Sequence, residues 1–66
     1  SGTAYRGGLE RRLASVEQEL IVDALKASRG NMAEAARELG VTERVMALRV
    51  RSYGIDFRLY RPKAGA

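Results

Sequence analysis

Six basic side chains, Arg44, Arg49, Arg51, Arg58, Arg61 and Lys63, crowd the end of this 66-residue chain against two acids, Glu43 and Asp56. A guanidinium is a planar fork of donors that fits phosphate oxygens or the O6/N7 edge of guanine, so this set is equipped to meet a polyanion. Everything before Thr42 is balanced. Six bases (Arg6, Arg11, Arg12, Lys26, Arg29, Arg37) meet six acids (Glu10, Glu17, Glu19, Asp23, Glu34, Glu38). The net charge of +4 therefore resides wholly in the last part of the chain. Such one-sidedness suggests a polyanionic partner. A merely soluble basic tail would have the same composition, and composition alone does not separate the two.

What is missing narrows the chemistry further. The chain has no Cys and no His. The commonest general base and the best side-chain nucleophile are thus absent. Disulfides are excluded and a zinc site is disfavoured. Carboxylate pairs remain, but so short a chain encloses a water-excluding pocket poorly. The expectation is a non-enzyme with no catalytic residue, no metal and no cofactor. No apolar run approaches the ~20 residues of a membrane span, and no charged-then-apolar leader points to export. No membrane partner is expected, and the expected location is cytoplasmic. A core of this size is marginal unless helices pack unusually well or chains associate.

The elements that must carry these arginines read as helices. Residues 1–8, SGTAYRGG, hold three glycines and no apolar period, and read as a flexible linker or tag remnant from a domain cut out of a longer chain. From Leu9 the pattern changes. Leu9, Leu13, Val16 and Leu20 step by helical intervals towards Ala24, with Ile21, Leu25 and Ser28 beside them. That is an apolar stripe on a helix of roughly 20 residues, about 30 Å long. Gly30 is expected to stop it as a left-handed residue. Two short helices downstream cannot cover such a stripe, so Leu9, Leu13, Val16 and Leu20 are expected to form the seam of a two-fold homodimer.

Asn31 then caps a second helix, Met32 to Leu39, with Glu34 placed to reach back to the Asn31 amide. Gly40 ends it. Thr42 caps a third helix, from about Glu43 to Tyr53, with Gly54 as its stop. Ile55 and Phe57 are expected to fold back, and residues 61–66 to be a disordered tail. The domain proper is thus 9–60. Two helices joined by a turn of about three to four residues containing Gly, crossing near a right angle, make a helix-turn-helix. Ala36 is the small residue where the second helix must cross, and Gly40 supplies positive φ at the corner. An antiparallel helical hairpin is the plainer alternative.

At about 100° per residue, Met46, Val50 and Tyr53 share the core face of the third helix. Arg44, Leu48 and Arg51 lie opposite, flanked by Val45, Ala47 and Ser52. Arg44, in the first turn, is the candidate base reader, with Ala47, Leu48 and Glu43 as further candidates. Arg49 and Arg51 are candidates for phosphate. Asn31 and Thr42, at helix N-termini, can offer amide, hydroxyl and free N–H groups to phosphate, or can serve as caps alone.

The stretch GNMAEAARELGVTERVMALRVRSYGI has Gly-Asn, small residues, Ala-Ala, a Leu-Gly corner, a capped helix and a closing Tyr-Gly. In this order it resembles the C-terminal segment of Fis and of the NtrC/NifA family of bacterial enhancer-binding activators. MALRVRSYGIDFRLY is most similar to NifA-type activators of sigma-54 transcription. The resemblance covers about Leu9 to Tyr60. It implies an all-α, Fis-like fold with a long N-terminal dimerisation helix followed by a helix-turn-helix. It also implies sequence-specific binding of double-stranded DNA in the major groove. The implied role is docking on an upstream enhancer, with sigma-54 RNA polymerase met only through domains outside this chain. Two departures stand out. Glu43 replaces a frequently basic residue, and either accepts from cytosine or only favours the helix dipole. Leu48, also at a typically basic place, either touches a thymine methyl or turns into Phe57 or Tyr60. A dimerisation or protein-docking module and a Fis-like nucleoid-bending protein are the alternative functions.

Overall fold

The structure, a computed structural model, describes residues 2–63, with side chains from residue 7 on. The described chain is all helical: α1 Gly2–Ala27, α2 Met32–Leu39, α3 Glu43–Ser52 and a 3-10 turn, η1, Phe57–Tyr60. The core is Ile21, Ala24 and Leu25 of α1, Ala35 and Ala36 of α2, and Met46 and Val50 of α3, all buried. Met32, Leu39, Tyr53, Ile55, Phe57 and Tyr60 surround it, half-buried. Ala35 and Ala36 are 0 % and 2 % exposed. Their small side chains let α2 lie close to both neighbours, the packing a helix-turn-helix requires.

All three helices end alike. The left-handed residue donates three positions back and the next residue donates five back, which is the Schellman pattern. At α2 these bonds are Gly40 N–H to Arg37 O at 3.2 Å and Val41 N–H to Ala36 O at 3.0 Å. At α3 they are Gly54 N–H to Arg51 O at 3.1 Å and Ile55 N–H to Val50 O at 3.0 Å. At α1 they are Arg29 N–H to Lys26 O at 3.2 Å and Gly30 N–H to Leu25 O at 2.8 Å. The sequence expectation for α1 is thereby corrected. Arg29, at φ 56°, is the left-handed stop, and Gly30 follows it at φ 78°. The need for glycine at position 30 has another source. A Cβ there would lie 2.6 Å from Arg61 Cγ and 2.8 Å from the Phe57 carbonyl oxygen. The chain beyond α3 folds back and seats η1 on this bend.

Two boundaries differ from expectation. Helix α1 begins at Gly2, inside the stretch 1–8 that the sequence suggests is a linker. Once a helix is nucleated, each further residue adds a hydrogen bond, and no proline interrupts this stretch. At the other end, Arg61 is not free tail. Its N–H donates to Arg58 O at 3.2 Å, and its guanidinium lies 4.8 Å from the centre of the Phe57 ring. Residues 64–66 lie outside the described chain, as does Ser1.

Candidate nucleic-acid interface

Helix α3 is fixed at its start by Thr42, whose Oγ1 accepts the Val45 N–H at 3.1 Å. In α2, Asn31 Oδ1 accepts the Glu34 N–H at 3.1 Å. Both caps are local consequences of sequence. The expected reciprocal bond from Glu34 to the Asn31 amide is not formed. That N–H donates to Ser28 O at 3.1 Å instead, and Ser28 Oγ donates to Asn31 O at 2.9 Å. The cap acceptors are thus occupied, while the Thr42 hydroxyl proton and the N–H groups of the Asn31 side-chain amide remain as donors.

With Met46 and Val50 turned into the core, the rest of α3 faces out. Glu43, Arg44, Ala47, Leu48, Arg49 and Arg51 are all exposed. Leu48 is 57 % exposed, so it stands on the outer face and does not turn into the Phe57 and Tyr60 side of the core. Among the described residues, no ion pair or side-chain hydrogen bond engages Arg44 or Arg51. Their donors are available to a partner.

Arg49 differs. Its Nε lies 3.6 Å from Glu17 Oε2 on α1, and the Tyr53 hydroxyl donates to the other oxygen of the same carboxylate. Sequence reasoning missed this group. Glu17 looks like one more solvent-facing acid, and only the fold brings it to residues 32 and 36 positions away. The hydrogen bond to Glu17 raises the Tyr53 pKa first of all, with desolvation and the Glu17 charge adding, because an ionised phenol could not donate. The pair is largely exposed, which limits its contribution to stability.

Beyond α3, Asp56 caps η1 and accepts both the Arg58 N–H and its Nε, each at 3.1 Å. The Arg58 side-chain bond is the main reason the Asp56 carboxyl is held below its ordinary pKa. Arg58 shares an open groove with Ala47, Arg51 and Ile55, so η1 stands beside the outer face of α3. At the other flank, Asn31 and Glu43 border a second shallow groove with Phe57 and Arg61. The structure therefore brings Asn31, Glu43, Arg44, Ala47, Leu48 and Arg51 to one side of the molecule or its edges. It sets Leu9, Leu13, Val16 and Leu20 apart, exposed along α1.

The geometry is that of a capped helix-turn-helix with a basic, outward-facing α3. Residues 9–53 match the family described as bacterial regulatory protein, Fis family. The chain belongs to the Fis family of bacterial regulatory proteins. It is 54 % identical over 54 residues to nitrogen fixation protein VnfA of Azotobacter vinelandii, covering 82 % of this chain and 10 % of that protein. To nitrogen fixation protein AnfA of the same organism it is 45 % identical over 60 residues, covering 91 % and 11 %. Response regulator protein PilR of Pseudomonas aeruginosa is 44 % identical over 48 residues, covering 73 % and 11 %. The chain thus spans about a tenth of the length of the curated relatives it matches. No solved structure matches at a significant level. No described helix is long and apolar enough to cross a membrane.

Proposed function

We infer that this Fis-family domain binds duplex DNA in the major groove through α3, as a two-fold dimer, and docks a sigma-54-dependent activator on an upstream enhancer. The observation that carries the reading is the outer face of α3. Arg44 and Arg51 stand there unpaired on a helix whose inner face is locked into the core. Arg44, in the first turn, is placed to read base edges with Ala47, Leu48 and Glu43. Arg51, at the far end, is placed to hold phosphate, with Thr42 and Asn31 supplying donors at the helix starts. Arg49, with only its Nε near Glu17, keeps its terminal nitrogens for phosphate. Dimerisation rests on the exposed apolar stripe Leu9, Leu13, Val16 and Leu20. The proposed site of action is the cytoplasm, at the nucleoid.

The test is a division of labour between two arginines, measured on a preferred site and on random duplex at several salt concentrations. Arg44→Ala loses roughly 1–3 kcal/mol on the preferred site and much less on random DNA. Arg51→Ala weakens both by similar factors and lowers the salt slope by about one unit. Two relatives carry nitrogen fixation in their names, so promoters of nitrogen-fixation genes are the first DNA to try. A second reading, a protein-docking module, draws on the same exposed stripe. A parent chain whose duplex binding has no salt slope would select that reading.

A further inference from the structure

The Fis-family match ends at Tyr53, while three basic residues, Arg58, Arg61 and Lys63, follow it. Two of these have distinct settings. Arg61 is part of the packing, lying over the Phe57 ring and against Gly30. Arg58 points outward, with its side chain 73 % exposed. Its position is not that of a free tail. The left-handed turn at Gly54 reverses the chain, Phe57 and Tyr60 pack on the core, and Asp56 fixes the first turn of η1. These anchors place Arg58 across one groove from Ala47 and Arg51 on the outer face of α3.

We propose that η1 is a second DNA-contacting element, in which Arg58 grips a backbone phosphate beside the strand held by Arg51. This rests on the reading of α3 as the groove-entering helix. A duplex seated on Ala47 and Arg51 carries one of its strands past the mouth of the shared groove, where the Arg58 guanidinium stands. Asp56 engages only Nε. The two terminal nitrogens keep their donors, and a phosphate can take both in a fork-to-fork contact. Asp56 is therefore a positioning residue, holding the guanidinium by one edge while the other faces the strand.

The experiment compares Arg58→Ala with Arg12→Ala, which removes the same charge from an exposed position on α1. Arg58→Ala lowers the salt slope by about one unit and weakens preferred and random duplex alike, by about 3- to 10-fold at moderate salt. Arg12→Ala leaves the slope unchanged. Arg58→Lys restores most of the slope, because a phosphate accepts a point charge. Thermal melting of each variant confirms that the fold is intact. If Arg58→Ala behaves like Arg12→Ala, the contact is absent and the proposal fails, while a steep parental slope and a loss in Arg51→Ala leave the DNA reading standing. A parent without salt dependence fails both.

Discussion

Divided after Leu20, the apolar stripe of α1 has two halves, both at helical intervals, that meet opposite fates. In the second half, Ile21, Ala24 and Leu25 are 3 %, 3 % and 0 % exposed. In the first, Leu9, Leu13, Val16 and Leu20 are 51 % to 61 % exposed. Periodicity marks a face that wants cover. Whether the cover exists depends on reach. At about 1.5 Å per residue, α2 and α3 extend about 12 and 15 Å, against roughly 39 Å for α1. The stripe outlasts the partners the chain itself provides. The buried half is settled by this chain, and the exposed half is where association would change the molecule.

The contrast is most sharply tested by one truncation in each half. Leu25→Ala empties a fully buried site and should cost about 2–5 kcal/mol in chemical denaturation, enough to unfold much of a domain this small. Leu13→Ala, measured where the chain is monomeric, should leave the same transition within about 0.5 kcal/mol. Equal costs would mean that the halves do not differ. Next in size, Ala36→Leu forces a larger side chain between α2 and its neighbours and should cost about 1–3 kcal/mol, lowering melting temperature and DNA binding together. An unchanged melt would mean that the helices are not closely packed there.

A charge in the exposed half tests association rather than folding. Leu13→Glu or Leu20→Glu should weaken self-association at least about tenfold, which corresponds to about 1.4 kcal/mol, with the fold retained. Sedimentation over a concentration series reads it, and binding to a duplex with two half-sites should fall in step. A parent that stays monomeric at high micromolar concentration would remove the seam.

The smallest effect lies where the halves meet, at Glu17. The Tyr53 pKa is raised, so between the unfolded value, near 10, and the higher folded value the folded chain binds more protons. The stability from this hydroxyl is full below the unfolded pKa and drains away as pH climbs through the folded one. Tyr53→Phe should lower the melting temperature slightly at neutral pH and flatten the alkaline decline. An identical decline in the variant would show that Tyr53 is not its source.

Which of these features the sequence reveals follows from the range of the interactions. The caps at Asn31 and Thr42, the left-handed Gly40 and the inward Met46 and Val50 are legible because each depends on neighbours within a few residues. The exposure of Arg44, Ala47, Leu48 and Arg51 follows from the same helical period. The Glu17 link to Arg49 and Tyr53 escapes, because it needs α1 and α3 already in place. The seat of η1 escapes as well. Nothing in RPKAGA indicates that Arg61 lies over Phe57, and the short-range expectation there is a tail. Even the stop of α1 is misjudged by one residue. Glycine is the usual left-handed residue, yet Arg29 takes that place, and the glycine after it answers to a contact about 30 residues away in sequence.

That misjudgement bears on what the two glycines permit. At Gly40 a Cβ would meet nothing within 4 Å, so the first demand is on backbone angle. Arg29 shows that an L-residue can hold such an angle in this very fold. Gly40 should therefore be open to a small repertoire, with Asn, the residue most at ease there, foremost. Gly30 has no such latitude, because any side chain would strike the returning backbone at Phe57. When both positions are randomised and folded variants recovered, the corner should return several letters, and the bend after α1 only one.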